Sequence, residues 1–325
     1  MFKYVAPLNE FSADMFQECG GKAANLGELI CGGFNVPPGF CVKANTYPYL
    51  IESNNLGGQI SQVVDTIDFS KPADLEEKSG VIRSLIINAR IPQDLGEEIF
   101  QNYQALKDAI SEEPLVAVRS SVAVKGSTIS SFPGMMDTYH YIRGYDQITQ
   151  KIKECLASVW TARAAFMRHH KKIDHSLALI APIVQLMVNS EIAGVMFTGN
   201  PMTSSLDEIL IDACWGLGEL VVSGQGVDDL YVLDKANLSI KSSTIANKSQ
   251  MIVFDIEMGR GTKKVPVLPE KVSKPVLTEH MLKELGMVGL SIEAHYNRVP
   301  QDIEWAFCGG QLYILQTRRA RVAQP

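Results

Sequence analysis

The chain has 325 residues, 46% hydrophobic and 20% charged, enough apolar material for two domains or one large two-lobed enzyme domain and too much for a disordered chain. Net charge is −6, with the 30 lysines and arginines dispersed, which argues against a nucleic-acid coat and requires any positive charge used on an anionic ligand to be local. The six cysteines show neither CxxC pairing nor zinc spacing and are expected to be reduced, mostly packed thiols of a cytoplasmic protein.

The N-terminus lacks the long apolar segment of a signal peptide, and the apolar run 177–188 is interrupted by Pro182 and Gln185 and too short to span a membrane. Gly20-Gly21-Lys22 reads as a glycine turn opening a helix that stops at Gly32-Gly33. Lys22 falls at that helix N-terminus, where free N–H groups and the helix dipole favour an anion. Walker A spacing is missing, and a plain turn with a solvated lysine competes with the anion reading. Residues 34–42 predict a proline turn into a buried strand. Residues 47–110 are largely helical in pattern, broken at Pro72 and Pro92, and carry no chemical signature.

Residues 115–121 form an apolar strand ending in Arg119-Ser120-Ser121, with the arginine at a strand end and able to reach into a cleft. The Ser/Gly-rich stretch 125–138 offers N–H and hydroxyl donors of the kind that cradle phosphates. Helical spacing runs from Asp146, a candidate N-cap, to His170; Trp160 is assigned to the core. His169, His170 and His175 read as a solvated helix end rather than a metal site. Two apolar strands follow, 178–186 and 194–198. Residues 185–188 read either as an adenine wall or as core strand. A strand at 206–213 runs into the glycine-punctuated turn 215–224, where Glu219 either hydrogen-bonds a ribose or caps the helix. Residues 231–274 alternate short strands and turns, and 278–296 predict an amphipathic helix.

The chain closes on two alternating runs, 301–307 and 312–318, separated by Cys308-Gly309-Gly310-Gln311: a β-hairpin. A two-residue Gly309-Gly310 turn would set Glu304 opposite Leu315. A three-residue turn through Gln311 sets Glu304 opposite Gln316 and Asp302 opposite Arg318. The second register is preferred, because the first strands charges in the core. It puts Ile303, Trp305, Phe307, Tyr313 and Leu315 on the apolar face. The opposite face then carries two carboxylates, an amide and a guanidinium, suited to Mg²⁺ and phosphate. A surface hairpin with cross-strand ion pairs fits equally well at this level.

Several motifs recur in order: Gly-Gly-Lys-x-x-x-Leu-Gly at 20–27, Val-Arg-Ser-Ser at 118–121, Pro-Gly-Met-Met-Asp-Thr at 133–138, Gly-Leu-Gly-Glu at 216–219, and the closing Gln-Asp-Ile-Glu and Leu-Gln-Thr-Arg. Together they resemble the N-terminal nucleotide-binding domain of the dikinase family, which includes pyruvate phosphate dikinase, phosphoenolpyruvate synthase and rifampicin phosphotransferase. The resemblance implies an α+β, ATP-grasp fold whose two lobes clamp ATP. Residues 1–185 would form the N-terminal lobe, with the Gly-Gly-Lys helix, Arg119 and the phosphate loop, and 186–325 the C-terminal lobe ending in the hairpin. It implies that Lys22, Arg119 and Arg318 contact the ATP phosphates, and that Glu304 and Gln316, with Asp302, hold Mg²⁺. It places adenine near Gln185, Leu186, Met187 and Val188, with Glu219 toward the nucleoside, and adds Gly134, Asp137 and Thr138 from the glycine loop.

The implied reaction is transfer of a phosphoryl or pyrophosphoryl group from Mg-ATP to a histidine on a carrier, with AMP as product. A small acceptor such as pyruvate, a phenol or alcohol, or an antibiotic then takes the group. The family's carrier histidine sits in a Thr-Ser-His-Ala-like loop that this sequence lacks; His140, His169, His170, His175, His280 and His295 stand in other contexts. The expectation is therefore an ATP-binding subunit or domain that works with a phosphohistidine carrier and a substrate-binding domain, with no nucleic-acid or membrane partner. Met1 and the short tail favour a separate subunit. The rival from another class is a nucleotide-binding regulatory or scaffold protein without turnover, against which the paired metal and phosphate residues argue.

Overall fold

Branched and aromatic residues alternating with small ones build the strands of this chain, and their apolar faces determine which helices cover them. A computed structural model describes residues 3–124, 137–224 and 226–322. The chain is α+β and separates into two units, Met1–Glu28 with Pro38–Met187, and Leu29–Pro37 with Val188–Pro325.

In chain order the first unit carries β1 (Val5–Pro7), α1 (Phe16–Cys31, whose last residues fall in the second unit), β2 (Gly39–Val42), α2 (Thr46–Ser53), α3 (Gly57–Val64), α4 (Pro72–Ile87), α5 (Gln93–Ile110), β3 (Leu115–Val124), β4 (Thr138–Arg143), α6 (Tyr145–Ala157), α7 (Ala162–His170) and β5 (Ala178–Leu186). The strands form one antiparallel sheet in the order β1-β2-β5-β3-β4. Phe40, Val42, Val116, Val118, Ile180 and Val184 point to one face, where they pack with Ile82 and Ile86 of α4, Ile99 and Tyr103 of α5, and Ile148 and Ile152 of α6. Each such side chain contributes roughly 1.5–3 kcal/mol by leaving water. Period-two alternation sends Ala117, Arg119, Ser121, Ile183 and Gln185 to the other face.

Pro72 opens α4 and Pro92 is the cap of α5, as the breaks at those prolines predict. The single helix expected over 146–170 is instead two, α6 and α7, joined by a short 3-10 turn at Ser158–Trp160. The break is chemical. Thr161 takes an extended conformation and its hydroxyl accepts the Ala164 N–H at 3.3 Å, so it caps a new helix. Gly144, not Asp146, is the cap of α6. Trp160 is buried, and its indole N–H donates to the Tyr47 hydroxyl at 2.8 Å.

The second unit carries β6 (Ile192–Phe197), β7 (Glu208–Trp215), α8 (Glu219–Val222), β8 (Asp229–Asp234), β9 (Ile240–Thr244), β10 (Gln250–Phe254), β11 (Thr262–Pro266), α9 (Glu279–His295), β12 (Gln301–Cys308) and β13 (Gln311–Arg319). Its main sheet is antiparallel in the order β13-β12-β6-β7-β8-β9, while β10 and β11 form a separate hairpin. Leu282, Leu285 and Ile292 of α9 pack against one face, formed by Met196, Ile211, Tyr231, Ile303, Trp305, Phe307, Leu312 and Ile314. Residues 29–37 belong here because they shield the sheet edge. Asn35 accepts the Ile314 N–H at 2.8 Å and its side-chain amide donates to the Leu312 carbonyl at 2.6 Å, so β13 presents no bare ladder there.

The cysteines are free. Cys19, Cys41, Cys155 and Cys214 are buried, Cys308 partly so, and Cys31 is exposed. Burial pushes the Cys19 thiol up to about 12, the behaviour of a packed rather than a reactive thiol. Among the described residues no helix is long and apolar enough to cross a membrane.

Candidate functional site

In the first unit the Gly-Gly-Lys turn and the Val-Arg-Ser-Ser strand meet. Gly20 adopts φ +72° inside what would otherwise be a continuous α1, so the chain kinks and a new helical turn begins at the glycines. A Cβ on Gly20 would lie 2.3 Å from Ser121 Oγ, so the position needs glycine for space as well as for φ. The Ser121 hydroxyl accepts the N–H groups of Lys22 at 3.1 Å and Ala23 at 3.3 Å. This corrects the expected free N–H cradle: two donors of the turn, those of Lys22 and Ala23, are taken by a neighbouring hydroxyl. The part Ser121 plays in holding this turn was missed, although alternation along β3 places it on the Arg119 face.

Arg119 lies in the middle of β3, not at its end, because pairing with β5 continues to Val124. Its Nη1 lies 3.4 Å from Gln185 Oε1, and Thr138 stands across from it on β4. Arg119, Thr138 and Gln185 are thus brought to one face, to which Ser121 ties the Lys22 turn. Asp137 is not. It accepts Arg83 Nη2 of α4 at 2.9 Å and the Tyr139 hydroxyl at 3.1 Å, so it anchors the end of the glycine loop to the helical layer. Gly134 and the rest of 125–136 lie outside the described residues. Gln185 is buried, and Leu186 and Met187 are partly so. Their N–H groups are used by the Pro38 and Leu115 carbonyls at 2.8 and 2.9 Å, so those two donors do not remain for a ring edge.

In the second unit Val188 is half-buried, and its carbonyl accepts the Ser190 N–H at 2.8 Å. Glu219 occupies the first turn of α8, behind Gly218. The hairpin carries the remaining residues. Glu304 stands opposite Gln316 and Asp302 opposite Arg318, the register expected. The device that produces it differs. The turn is the two-residue Gly309-Gly310, both with positive φ (57° and 77°), the conformation that suits the twist of a two-residue hairpin. A β-bulge at Leu315 then restores the register, since Trp305 pairs with Ile314 while Glu304 pairs with Gln316. In consequence Leu312 and Ile314, not Tyr313 and Leu315, join Ile303, Trp305 and Phe307 in the core.

Asp302 is 8% exposed and accepts Arg318 Nε at 2.7 Å, while half of the Arg318 side chain remains in solvent. Burial raises the Asp302 pKa; Arg318 opposes this and the Glu304 charge adds to it. Two carboxylates with one guanidinium leave excess negative charge that a cation would relieve. The donors are hard oxygens. Among the described residues no three His, Cys, Asp or Glu side chains gather as a metal cage. A cation at the hairpin would therefore complete its shell with water and phosphate oxygens, the habit of Mg²⁺.

A lysine on α1 tied through Ser121 to the strand that carries Arg119, and a carboxylate–amide–guanidinium face on the second unit's hairpin, are residue types suited to polyphosphate and its cation. Sequence comparison is more specific: residues 16–325 match the family described as pyruvate phosphate dikinase, AMP/ATP-binding domain, and the chain belongs to that family. It is 39% identical to a probable phosphoenolpyruvate synthase of Pyrococcus horikoshii, covering 98% of this chain and 43% of that protein. It is likewise 39% identical to the phosphoenolpyruvate synthase of Pyrococcus furiosus, covering 98% and 44%. With a probable phosphoenolpyruvate synthase of Methanocaldococcus jannaschii it shares 40%, covering 97% and 26%. The chain thus spans less than half the length of these relatives.

Proposed function

We propose that this chain is the ATP-using part of a dikinase, in an ATP-grasp fold whose lobes are the units Met1–Glu28 with Pro38–Met187 and Leu29–Pro37 with Val188–Pro325. It binds Mg-ATP and passes a phosphoryl or pyrophosphoryl group to a histidine on a separate carrier domain or subunit. The observation that carries this reading is the hairpin register: Glu304 beside Gln316 and Asp302 beside Arg318 in a chain of the AMP/ATP-binding family. In this reading Asp302, Glu304 and Gln316 hold Mg²⁺, and Arg318, Lys22 and Arg119 take phosphate oxygens. Gln185, Leu186, Met187 and Val188 flank the adenine, Glu219 faces the nucleoside, and the glycine loop with Gly134 and Thr138 covers the phosphates.

Bound Mg²⁺ would neutralise charge on the transferring group. The chain's own residues do the rest by position. Arginine forks fix phosphate oxygens at two points, and Asp302 holds the Arg318 fork by its Nε so that its free end faces solvent and ligand. Charge building on the transferring oxygens meets fixed cations that need no reorganisation. AMP as product requires the bond between the α-phosphate oxygen and the β-phosphorus to break, the oxygen leaving with AMP. The relatives named phosphoenolpyruvate synthase favour pyruvate as final acceptor over a phenol, an alcohol or an antibiotic.

The test is incubation with labelled ATP, Mg²⁺ and a carrier domain bearing the acceptor histidine. Labelled carrier and AMP are expected; ADP as the product would sink the dikinase reading, and no carrier labelling would favour a binding protein without turnover.

A further inference from the structure

Asp212 is a carboxylate in the middle of a buried strand. Its neighbours in β7, Ile211 and Ala213, lie in the core beneath α9, and Asp212 points to the opposite face. The ladders set it in a row: Gln316 faces Glu304, Glu304 faces Val195, and Val195 faces Asp212. Two strand spacings separate Glu304 from Asp212, roughly 10 Å.

The group is half-buried, and among the described residues no hydrogen bond or ion pair reaches its carboxylate. The charge that acts on it has its own sign. Asp228, just before β8, bears on Asp212, and one of its own oxygens is buried without a partner. Burial first and Asp228 second push the Asp212 carboxyl up to about 6. A strand interior gains nothing from such a group, since desolvated charge without a donor is unfavourable. Its placement makes sense if a ligand brings the donors.

We propose, resting on the Mg-ATP reading above, that Asp212 accepts the ribose hydroxyls of the bound nucleotide and makes the site selective for ribonucleotides. The two-strand separation matches the distance from a metal on the terminal phosphates to the sugar hydroxyls of an extended nucleoside triphosphate. Val195, between them, offers an apolar floor for the sugar–phosphate chain. An ionised carboxylate takes two O–H donors at once, through charge-assisted bonds. A third phosphate would be repelled by Asp212 and Asp228 together. A second cation finds too few ligands, because the thiol on the same face, Cys214, is turned to the Leu217 carbonyl at 3.5 Å.

The test is equilibrium binding of ATP, 2′-deoxy-ATP and 3′-deoxy-ATP to the full chain, with Mg²⁺, for wild type, Asp212→Ala and the near-isosteric Asp212→Asn. Wild type should bind ATP roughly tenfold or more tightly than at least one deoxy analogue, the size of a hydrogen bond to a charged group. Asp212→Ala should bind all three alike, by loss of ATP affinity alone, and Asp212→Asn should keep only part of the preference. Both variants should melt at or above wild type at pH 7, which separates lost selectivity from misfolding. Wild type that does not discriminate, an alanine variant that still does, or a variant altered only in its Mg²⁺ dependence overturns the ribose assignment. Wild type that binds none of the three overturns the ATP reading with it.

Discussion

Glu304 stands opposite Gln316, yet Trp305, its neighbour in the chain, stands opposite Ile314. The two pairings are compatible only because Leu315 is an extra residue in β13. Before the bulge the even-numbered residues of β13 face the core; after it they face away. One residue thus moves Gln316 and Arg318 to the carboxylate face.

Deleting Leu315 tests what the bulge does beyond register. The pairs on either side stay as they are, so the variant should fold and melt close to wild type. What changes is the local twist that aims Gln316 and Arg318. At a hundred times its dissociation constant Mg-ATP should stabilise wild type by about 2.7 kcal/mol. The deletion variant should lose more than half of that gain, read as the ligand-induced rise in melting temperature. An undiminished rise would mean that the bulge serves the fold alone.

The Gly20 kink makes a second prediction. Gly20→Ala forces a side chain into positive φ and against Ser121, a strain costing roughly 1–3 kcal/mol. Ser121→Ala removes the acceptor of two N–H groups and should cost about 1 kcal/mol, as lost helix caps do. Urea unfolding of both variants checks the order, with Gly20→Ala the more damaging.

Asp229 in the second unit is buried and gathers four donors. Lys248 pairs with it, the Val276 N–H reaches it at 2.7 Å, the Ala246 N–H at 2.9 Å and the Tyr231 hydroxyl at 3.0 Å. Removing one member leaves the Lys248 charge buried alone. Asp229→Ala should therefore destabilise by roughly 3–5 kcal/mol, measured by chemical denaturation. A loss below 1 kcal/mol would show that the network relaxes into solvent.

A pH effect should arise at His175. Its Nδ1 accepts Arg168 Nε at 3.1 Å and its ring stacks near Trp160. Burial, then Arg168 and His169, depress its pKa to about 4. The unfolded chain takes up this proton near pH 6.5 and the folded chain only near 4, so stability is full above 6.5 and falls as pH drops between those values. Melting curves from pH 7.5 to 4.5 should show a steeper acid loss for wild type than for His175→Gln, which keeps an acceptor for Arg168 but does not titrate. Parallel curves would remove His175 from the account.

Much of this was legible in one dimension. Alternation marked the strands, Pro72 and Pro92 marked helix starts, and the Gly-Gly pair marked the hairpin, because these follow from backbone sterics and local burial. The pairing of Glu304 with Gln316 was also legible, since any other register buries charge. How that pairing is achieved was not. The odd count can be absorbed by the turn or by a bulge, and only packing of Leu312 and Ile314 beneath α9, with Asn35 along the edge, chose the bulge. The same holds for Ser121 on the Lys22 turn, Arg83 on Asp137, and Asp212 in line with Glu304. Each depends on a partner more than fifty residues away. The sequence by itself determined the face that carries the carboxylates and the arginine; the tertiary structure alone decided which distant groups hold that chemistry in place, because long-range contacts leave no local period to read.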